Sequence, residues 1–393
     1  MKKLSVNDMD LLGKRVLCRV DFNVPLTEDG KVSDDTRIQA ALPTIQTILD
    51  KGARLVLCSH LGRPKGKPNP SMSLMPARDR LAELLGTAVA WSSDCVGKEA
   101  QKMAESLKDG EVGLLENLRF HPDEESNDPS FAKALAELAE VYVNDAFGTA
   151  HRAHASTEGV THHISQSAAG LLMEKEVTYL SSVLEAPEKP FVAILGGAKV
   201  SDKMGVIRHL AGEVDRLLVG GAMAYTFLKA KGTQVGSSLV EEDRLQDAKE
   251  MMDLLAEAGT ELLLPADHVV ASSPEDPEGE LVGPDIPEGK MGLDIGPETR
   301  DAFKNAVIKA KTVVWNGPLG MFEKDAFVHG TEAVARALAE SDATVVVGGG
   351  DSAAALSKLG LADRVSHVST GGGASLEMLE GKDLPGVEAL TDA

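Results

Sequence analysis

Short runs of aliphatic and β-branched residues recur along the chain, and each is followed by a glycine or polar turn and then by a stretch with helical spacing. The runs are RVLCRV, RLVLCS, VGLLEN and VYVND in the first half, and FVAIL, RLLVG, ELLLP, TVVW and ATVVVG in the second half. Between them, apolar residues recur every three or four positions, as in residues 130–138 and 331–339. Alternating strands and helices predict α/β architecture with parallel sheets, and this many units favour two doubly wound, Rossmann-like sheets over one barrel.

A helix-like stretch without the composition of a flexible linker divides the two halves. It spans residues 171–184, follows Gly170, and ends before Pro187. We therefore expect a first domain at 1–170, a bridging helix at 171–186 and a second domain at 187–373, with the two domains facing a cleft. The segment 272–298 is dense in proline, glycine and acidic residues, which predicts a long irregular excursion.

Composition narrows the class of protein. With 393 residues the chain is too long for a single ordinary hydrophobic core. Its formal net charge is −21. Nucleic acids and anionic membranes require a broad positive surface, so we expect neither as a partner. We find no signal-peptide pattern and no apolar run long enough to span a membrane, and we expect a cytoplasmic location.

The three cysteines predict no special chemistry. Cys18, Cys58 and Cys95 are widely spaced, and none belongs to a CxxC pair. Cys18 and Cys58 lie within apolar runs, so we expect buried free thiols in a reducing compartment, with no disulfide and no zinc site.

In the first half, cationic and polar residues follow the predicted strands. Arg19, Asp21 and Asn23 alternate along an extended segment, so their side chains share one side of it. The other residues at such positions are Arg37, His60, Arg63, Arg119, His151, Arg152 and His154. Ligands of open parallel sheets bind beyond the carboxyl ends of the strands, and arginine matches phosphate and carboxylate oxygens. These residues predict an anion site; the alternative is that the arginines form scattered surface salt bridges. His60, His151 and His154 could suggest a metal, but the HRAH spacing of His151 and His154 is a weak pattern for zinc.

In the second half, glycines follow the strands. They occur at Gly196-Gly197, Gly220-Gly221, Gly317 and Gly348-Gly349-Gly350. Glycine allows close approach of the backbone to a phosphate, and a helix N-terminus supplies free N–H donors. Lys199 and Lys203 add positive charge, and we expect them one turn apart on the start of a helix. Asp351 could hold Mg²⁺ together with nucleotide phosphate oxygens. The alternative is that these glycines serve tight turns only.

Of two common nucleotide-binding signatures, one is absent and the other matches only weakly. The chain contains no GxxxxGK[ST] sequence. Gly348-x-Gly350-x-x-Ala353 fits the loose dinucleotide pattern, but the next strand-like run ends without an acidic residue for a ribose. A nicotinamide-dependent oxidoreductase and a non-catalytic binding protein of the same fold therefore stay as alternatives. An anion site on one domain and a nucleotide-phosphate site on the other favour phosphoryl transfer.

The motifs resemble those of the phosphoglycerate kinase family over nearly the whole chain. The first half has RVDFNVP, SHLGRP, ENLRFH and NDAFGTAHRAH, and the second half has LGGAKVSDK, GGAMAYTFLK, GLDIGP, WNGPLGMFE, GGGDS and STGGGAS, in the family's order. The resemblance implies a transferase with a carboxyl group as acceptor, which acts in glycolysis and gluconeogenesis and interconverts 1,3-bisphosphoglycerate plus ADP with 3-phosphoglycerate plus ATP. It also implies direct in-line transfer after domain closure, a monomer, and a C-terminal segment, 374–393, that packs back on the first domain.

The resemblance also assigns residues. The phosphoglycerate site would comprise Asp21, Asn23, Arg37, His60, Arg63, Arg119 and Arg152. The site for ADP or ATP with Mg²⁺ would comprise Lys199, Lys203, Gly221, Gly292, Asn316, Glu323, Gly349, Gly350, Asp351 and Ser352, with Asp351 as the metal ligand. Arg37, Lys199 and Lys203 are expected to stabilise charge during transfer, and no general base is needed, because a carboxylate is already a good nucleophile and leaving group.

Overall fold

The computed structural model describes residues 2–393. Residues up to Thr178 together with Asp383–Ala393 form one unit, and Tyr179–Lys382 form a second. Each unit is an α/β structure built around a six-stranded sheet. The predicted fold class is confirmed.

The first unit has a fully parallel sheet in the order β3-β4-β2-β1-β5-β6. The strands are β1 (Arg15–Arg19), β2 (Arg54–Cys58), β3 (Val89–Ser92), β4 (Val112–Leu115), β5 (Val141–Asn144) and β6 (Ser167–Ala169). The helices are α1 (Thr36–Asp50), α2 (Met75–Leu85), α3 (Gly97–Ser106), α4 (Pro122–Glu125), α5 (Pro129–Ala136) and the start of α6 (Leu171–Glu185). All residues of β4 and β5 are buried, as continuous apolar runs in a doubly covered sheet require.

Helix starts in this unit follow from local sequence. Asp128 caps α5, because its carboxylate accepts the backbone N–H groups of Ser130 and Phe131 at 2.8 and 2.9 Å, and Pro129 occupies the first helical turn. The apolar spacing of residues 130–138 thus corresponds to a helix that begins one residue earlier and ends at Ala136.

The second unit repeats the design with a parallel sheet in the order β15-β14-β13-β7-β8-β9. Its strands are β7 (Phe191–Leu195), β8 (Arg216–Val219), β9 (Glu261–Leu263), β13 (Thr312–Asn316), β14 (Thr344–Gly348) and β15 (His367–Val368). Its helices are α7 (Met204–Leu210), α8 (Met223–Ala230), α9 (Leu245–Glu257), α10 (Pro297–Ile308), α11 (His329–Glu340), α12 (Gly350–Lys358) and α13 (Gly372–Leu379). Chain connections leave β7 and β13 in opposite directions, which makes this pair the switch point where ligands of such sheets bind.

The segment that we expected to be irregular contributes to a small sheet. Strands β10 (His268–Ala271), β11 (Glu280–Val282) and β12 (Met291–Ile295) pair antiparallel in the order β11-β10-β12. The many prolines and glycines of residues 272–298 form the turns between short strands, and this composition concealed the strands themselves.

The boundaries between the units differ in detail from those expected. Helix α6 includes the boundary at Thr178, so its first half is counted with one unit and its second half with the other. The C-terminal segment in the first unit is Asp383–Ala393, not 374–393, because α13 packs against α7 within the second unit. The returning segment includes α14 (Pro385–Glu388), and Gly386 exchanges backbone and side-chain hydrogen bonds with Ala150 and Asn144.

Within the described residues, no helix is long and apolar enough to cross a membrane. The cysteines are free and buried, as we predicted for Cys18 and Cys58.

Candidate functional site: an arginine cluster and a glycine-lined sheet edge

In the first unit, a fully buried arginine anchors the site at the carboxyl end of β1. Arg19 donates from Nε to Ser156 Oγ at 2.9 Å and from Nη1 to the Val20 carbonyl at 2.5 Å. Ser156 in turn donates its hydroxyl to buried Glu124 at 2.5 Å. Burial raises the pKa of Glu124, whereas Arg19 acts in the opposite direction. The guanidinium is therefore held in a fixed orientation by several acceptors.

This arginine determines which ring nitrogen of His60 carries the proton. Arg19 Nη2 lies 3.2 Å from His60 Nδ1, and because a guanidinium can only donate, Nδ1 must accept. Burial, followed by the charges of Arg19, Arg119 and Arg37, holds the pKa of His60 well below its usual value of 6.5. The neutral imidazole then carries its proton on Nε2 and offers that N–H as a donor.

A second histidine is also kept neutral. Burial, with the charges of Arg119, Arg19 and Arg152, lowers the pKa of His154 to about 4. His154 also contributes to the lowered pKa of His60, so the two histidines lie near each other. Besides burial, Arg19 and Arg119 lower the pKa of both histidines, so these two arginines lie near both rings.

The loop after β1 is joined to the loop after β2. Arg37, on α1, pairs with Asp21 at 2.8 Å. Asp21 also accepts the backbone N–H of Asn23 at 3.2 Å, and Asn23 Oδ1 accepts the N–H of Gly62 at 2.9 Å. These contacts position three of the predicted site residues by the geometry of their own loops.

Arg119 joins the same edge from the segment after β4. Its Nη1 donates to the Gly62 carbonyl at 2.9 Å, and its side chain is only 7% exposed. Burial lowers the pKa of Arg119; Glu125, 3.5 Å from Nε, opposes this, and Arg19 and Arg152 add to it. Arg152 itself is exposed.

Most of the predicted first-unit set therefore comes together. Electrostatic or hydrogen-bonded contacts connect Asp21, Asn23, Arg37, His60, Arg119 and Arg152. The same contacts include Arg19 and His154, which were not in the set that the resemblance assigned. Arg63 is exposed directly after Gly62, and its role in the site stays a prediction. In a chain of net charge −21, such a concentration of guanidinium groups suits a small multiply charged anion.

In the second unit, glycine backbones from three strand ends pack directly on one another. A Cβ at Gly196 would lie 2.1 Å from the Pro318 carbonyl, and one at Gly317 would lie 2.2 Å from the Gly196 carbonyl. A Cβ at Gly221 would lie 2.6 Å from Gly197 atoms. These glycines follow β7, β13 and β8, so the backbones of three strand ends pack closely at the switch point, where side chains would not fit.

Lys203 and Asn316 face one another at this edge. Lys203 Nζ donates to Asn316 Oδ1. Burial lowers the pKa of Lys203, while Asp202 and Asp351 oppose that effect. Asn316 Nδ2 is buried and has no hydrogen-bond partner within residues 2–393, and it lies 3.3 Å from where a Cβ on Gly349 would be. An ammonium group and an unused amide donor thus lie beside the start of α12.

The expected helical arrangement of the lysines is wrong. Helix α7 begins at Met204, so Lys199 and Lys203 both belong to the loop before it. Val200 accepts the backbone N–H of Lys203 at 2.9 Å in a turn, which leaves Lys199 exposed and Lys203 half-buried. The loop between Gly197 and α7 is therefore longer than the sequence pattern suggested.

The start of α12 has the features of a phosphate-binding helix terminus. Gly349 has φ of +93°, which favours glycine, and Gly350 is the first helical residue. Asp351 is exposed in the first turn. Ser352 is buried, and its hydroxyl accepts the N–H of Gly317 at 2.7 Å, so it fixes the neighbouring loop.

Gly292 and Glu323 lie in the region of β12. A Cβ at Gly292 would be 2.0 Å from the Tyr225 hydroxyl, which explains the need for glycine there. The Met321 N–H donates to the Leu293 carbonyl at 2.8 Å, which brings the loop that carries exposed Glu323 alongside the strand.

Sequence reasoning missed several supporting residues. Arg19 was noted beside Asp21, but its sequence position does not reveal that it is buried against His60. Glu241 accepts hydrogen bonds from the backbone N–H and the hydroxyl of Ser201 at 3.1 and 2.5 Å. It thereby holds the loop from Lys199 to Lys203, the lysine loop, although nothing in the sequence around Glu241 indicates this.

Comparison with known proteins gives a consistent result over the whole chain. The family model for phosphoglycerate kinase matches residues 6–382. Curated phosphoglycerate kinases from Koribacter versatilis and Moorella thermoacetica are 58% and 59% identical, with full coverage of both chains in each case. The solved structure of phosphoglycerate kinase from Coxiella burnetii has a TM-score of 0.90 at 42% identity and covers 98% of each chain. The one from Pyrococcus horikoshii has a TM-score of 0.86 at 32% identity and covers 99% of this chain and 98% of its own.

Proposed function

Since the chain belongs to the phosphoglycerate kinase family and transfers a phosphoryl group between 1,3-bisphosphoglycerate and ADP, we propose that the arginine cluster binds the phosphoglycerate and the glycine-lined edge binds the nucleotide. The convergence of Arg19, Arg37, Arg119 and Arg152 on two neutral histidines carries this assignment. A nicotinamide-dependent oxidoreductase gains no support, since each relative described above is a phosphoglycerate kinase.

In the first unit, the proposed roles follow from charge and hydrogen bonding. The exposed part of Arg37 and the exposed Arg152 are available to phosphate oxygens, while His60 donates from Nε2. Asp21 accepts a hydrogen bond from the hydroxyl of phosphoglycerate, and Asn23 donates from its side-chain amide to the carboxylate. Their contacts with Arg37 and Gly62 keep the two loops in register. Arg63 supplements this set from the loop after β2.

In the second unit, the nucleotide phosphates lie against the glycine backbones. Lys203 and Asn316 contact the phosphates, Lys199 approaches from the exposed loop, and the first N–H groups of α12 complete the site. Gly221 packs against Gly197 at this edge, and Gly292 with Glu323 supplements the nucleotide site from the region of β12.

The residues present also suit Mg²⁺ carried by the nucleotide. Asp351 offers one exposed carboxylate next to Lys203, and Mg²⁺ commonly takes one or two carboxylates, phosphate oxygens and water. Bound there, the cation would neutralise phosphate charge. Arg37, Lys199 and Lys203 then stabilise the negative charge of the moving phosphoryl group, and no side chain has to remove a proton.

We further propose that the enzyme works as a monomer in the cytoplasm and transfers the group in line after its two domains close. The three free cysteines are consistent with a reducing compartment. Closure would exclude water, which would otherwise hydrolyse the acyl phosphate.

Calorimetric titration of two variants tests the division of the ligands. Arg152→Ala should weaken binding of 3-phosphoglycerate by roughly 10- to 100-fold and leave MgADP binding unchanged, because one charge-assisted hydrogen bond contributes about 1.5–3 kcal/mol. Lys203→Ala should do the reverse. Arg80→Ala is the matched control, since Arg80 pairs with Asp35 at 2.8 Å outside the cluster. If each variant weakened both ligands equally, the assignment would be refuted.

A further inference from the structure

Three different metal-binding atoms lie together in the first unit. Within residues 2–393, a carboxylate oxygen of Asp94, the thiol of Cys95 and a ring nitrogen of His121 all lie within 4.8 Å of one another. Asp94 and Cys95 belong to the loop between β3 and α3, and His121 directly precedes α4. We propose that these three side chains bind Zn²⁺ or a chemically similar transition-metal dication.

The ligands are held in place by contacts that do not require an ion. Asp94 Oδ1 lies 2.7 Å from His121 Nε2 and accepts the backbone N–H of Cys95, also at 2.7 Å. The His121 ring lies against Phe131, with ring centroids 5.2 Å apart. Because the loop is folded around its own carboxylate and the ring is packed, little ordering is needed when a cation binds.

Access is available from one side. A cavity of about 500 Å³ is lined by Asp94 and His121, whereas Cys95 is buried with 1% of its surface exposed. The cavity leaves room for water as a fourth ligand, which gives the tetrahedral number that zinc prefers.

A neighbouring carboxylate is unsuited to this role. Glu116 lines the same cavity, but its oxygens accept hydrogen bonds from Ser73 Oγ and from the backbone N–H groups of Leu74 and Asn117, at 2.7–2.9 Å. It is fully engaged in holding its own loop. The ligand set is thus one carboxylate, one thiol and one imidazole.

This set selects the kind of ion. Thiolate and imidazole ligands favour zinc and similar transition metals over Mg²⁺ and Ca²⁺, which prefer oxygen. A cysteine binds a metal as its thiolate. On binding, the S–H bond breaks, a sulfur–metal bond forms, and the proton passes to solvent. The carboxylate and thiolate then balance the two positive charges.

Such a site is not recognisable from the sequence. Cys95 has no CxxC partner, and His121 lies on a different loop that the fold brings alongside. The inference also does not depend on the proposed kinase site, so either could fail without affecting the other.

Cobalt titration of the metal-free full chain tests this proposal. Co²⁺ replaces zinc and reports a thiolate ligand through a sulfur-to-cobalt charge-transfer band. We expect that band with one Co²⁺ per wild-type chain and its loss in Cys95→Ser. Asp94→Asn and His121→Gln should weaken Co²⁺ binding by at least roughly tenfold, since even outer-shell changes cost 10- to 100-fold.

Two controls separate the site from general metal binding. Cys58→Ser removes an equally buried thiol and should keep the band. His162→Gln removes a histidine of an exposed His162–Glu158 pair and should keep the affinity. Circular dichroism checks folding; if Cys95→Ser does not fold, the half-exposed Asp94 provides the decisive variant. Absence of the charge-transfer band in the wild type, or unchanged affinity in Asp94→Asn and His121→Gln, would overturn the proposal.

Discussion

Removal of the Arg37 guanidinium should abolish most turnover while leaving the fold intact. Arg37 lies 2.8 Å from Asp21, and its side chain is 39% exposed, so one face of the fork pairs with the carboxylate and the rest is available to a ligand. A half-exposed ion pair contributes about 0–1 kcal/mol to stability. A donor that acts on developing charge contributes about 3–4 kcal/mol to the transition state. Arg37→Ala should therefore lower kcat by at least about 100-fold and lower the free energy of unfolding by less than about 1 kcal/mol.

The remaining carboxylate sharpens this prediction. Without Arg37, the negative charge of Asp21, whose side chain is only 12% exposed, would repel the substrate. The double variant Arg37→Ala/Asp21→Asn should therefore recover part of the substrate affinity but not the turnover. Arg37→Lys should keep only part of the wild-type turnover, because lysine lacks the planar guanidinium that can donate two parallel hydrogen bonds.

A coupled spectrophotometric assay with 3-phosphoglycerate and MgATP, together with chemical unfolding, measures both quantities. Arg80→Ala serves as the control, because Arg80 also lies 2.8 Å from an aspartate and is 37% exposed. Near wild-type kcat for Arg37→Ala, or an equal loss for Arg80→Ala, would refute the reasoning and make Arg37 an ordinary surface residue.

Three further predictions follow from particular contacts. Lys203→Ala should weaken MgADP binding in calorimetry, whereas Lys199→Ala should chiefly reduce kcat, because Lys203 is half-buried against Asn316 and Lys199 is exposed; unchanged ADP affinity in both would contradict this. Glu241→Gln should raise the KM for nucleotide more than it changes the KM for 3-phosphoglycerate, since Glu241 holds the lysine loop through Ser201; equal changes in the two KM values would argue against that role. Burial raises the pKa of Asp145 from 3.8 to about 7, so the folded state binds more protons than the unfolded state between these values, and wild-type stability should fall as pH rises through them. Asp145→Asn does not lose stability in this way. In denaturation experiments, the free energy of unfolding of Asp145→Asn relative to the wild type should therefore rise by up to about 4 kcal/mol from pH 4 to pH 8. A constant difference between the two proteins would mean that Asp145 does not titrate.

Much of the fold could be predicted from the sequence because strands and helices alternate with clear periods. The exception is the small sheet of β10, β11 and β12, whose strands are short and lie among prolines and glycines. Helix α7 also starts later than the glycine-lysine pattern suggested, since the backbone turns at Val200 before the helix begins.

The grouping of residues at the sheet edges was predictable where one residue type follows one strand end. Arg119 and the glycines at 196, 221 and 317 could be placed at these edges in this way, because parallel strands share one carboxyl edge, and their roles in binding stay predictions. Residues that act through distant partners could not. Glu124 holds Ser156 and thereby Arg19, and only the folded chain shows that a buried acid far along the sequence supports an arginine on β1.

Formation of ATP by the purified chain from 1,3-bisphosphoglycerate and MgADP tests the proposed reaction most directly. We expect one ATP and one 3-phosphoglycerate for each acyl phosphate consumed, with turnover lost in Arg37→Ala and retained in Arg80→Ala. Folded wild-type protein that forms no ATP above the enzyme-free rate, or turnover that is the same in Arg37→Ala as in the wild type, would contradict it.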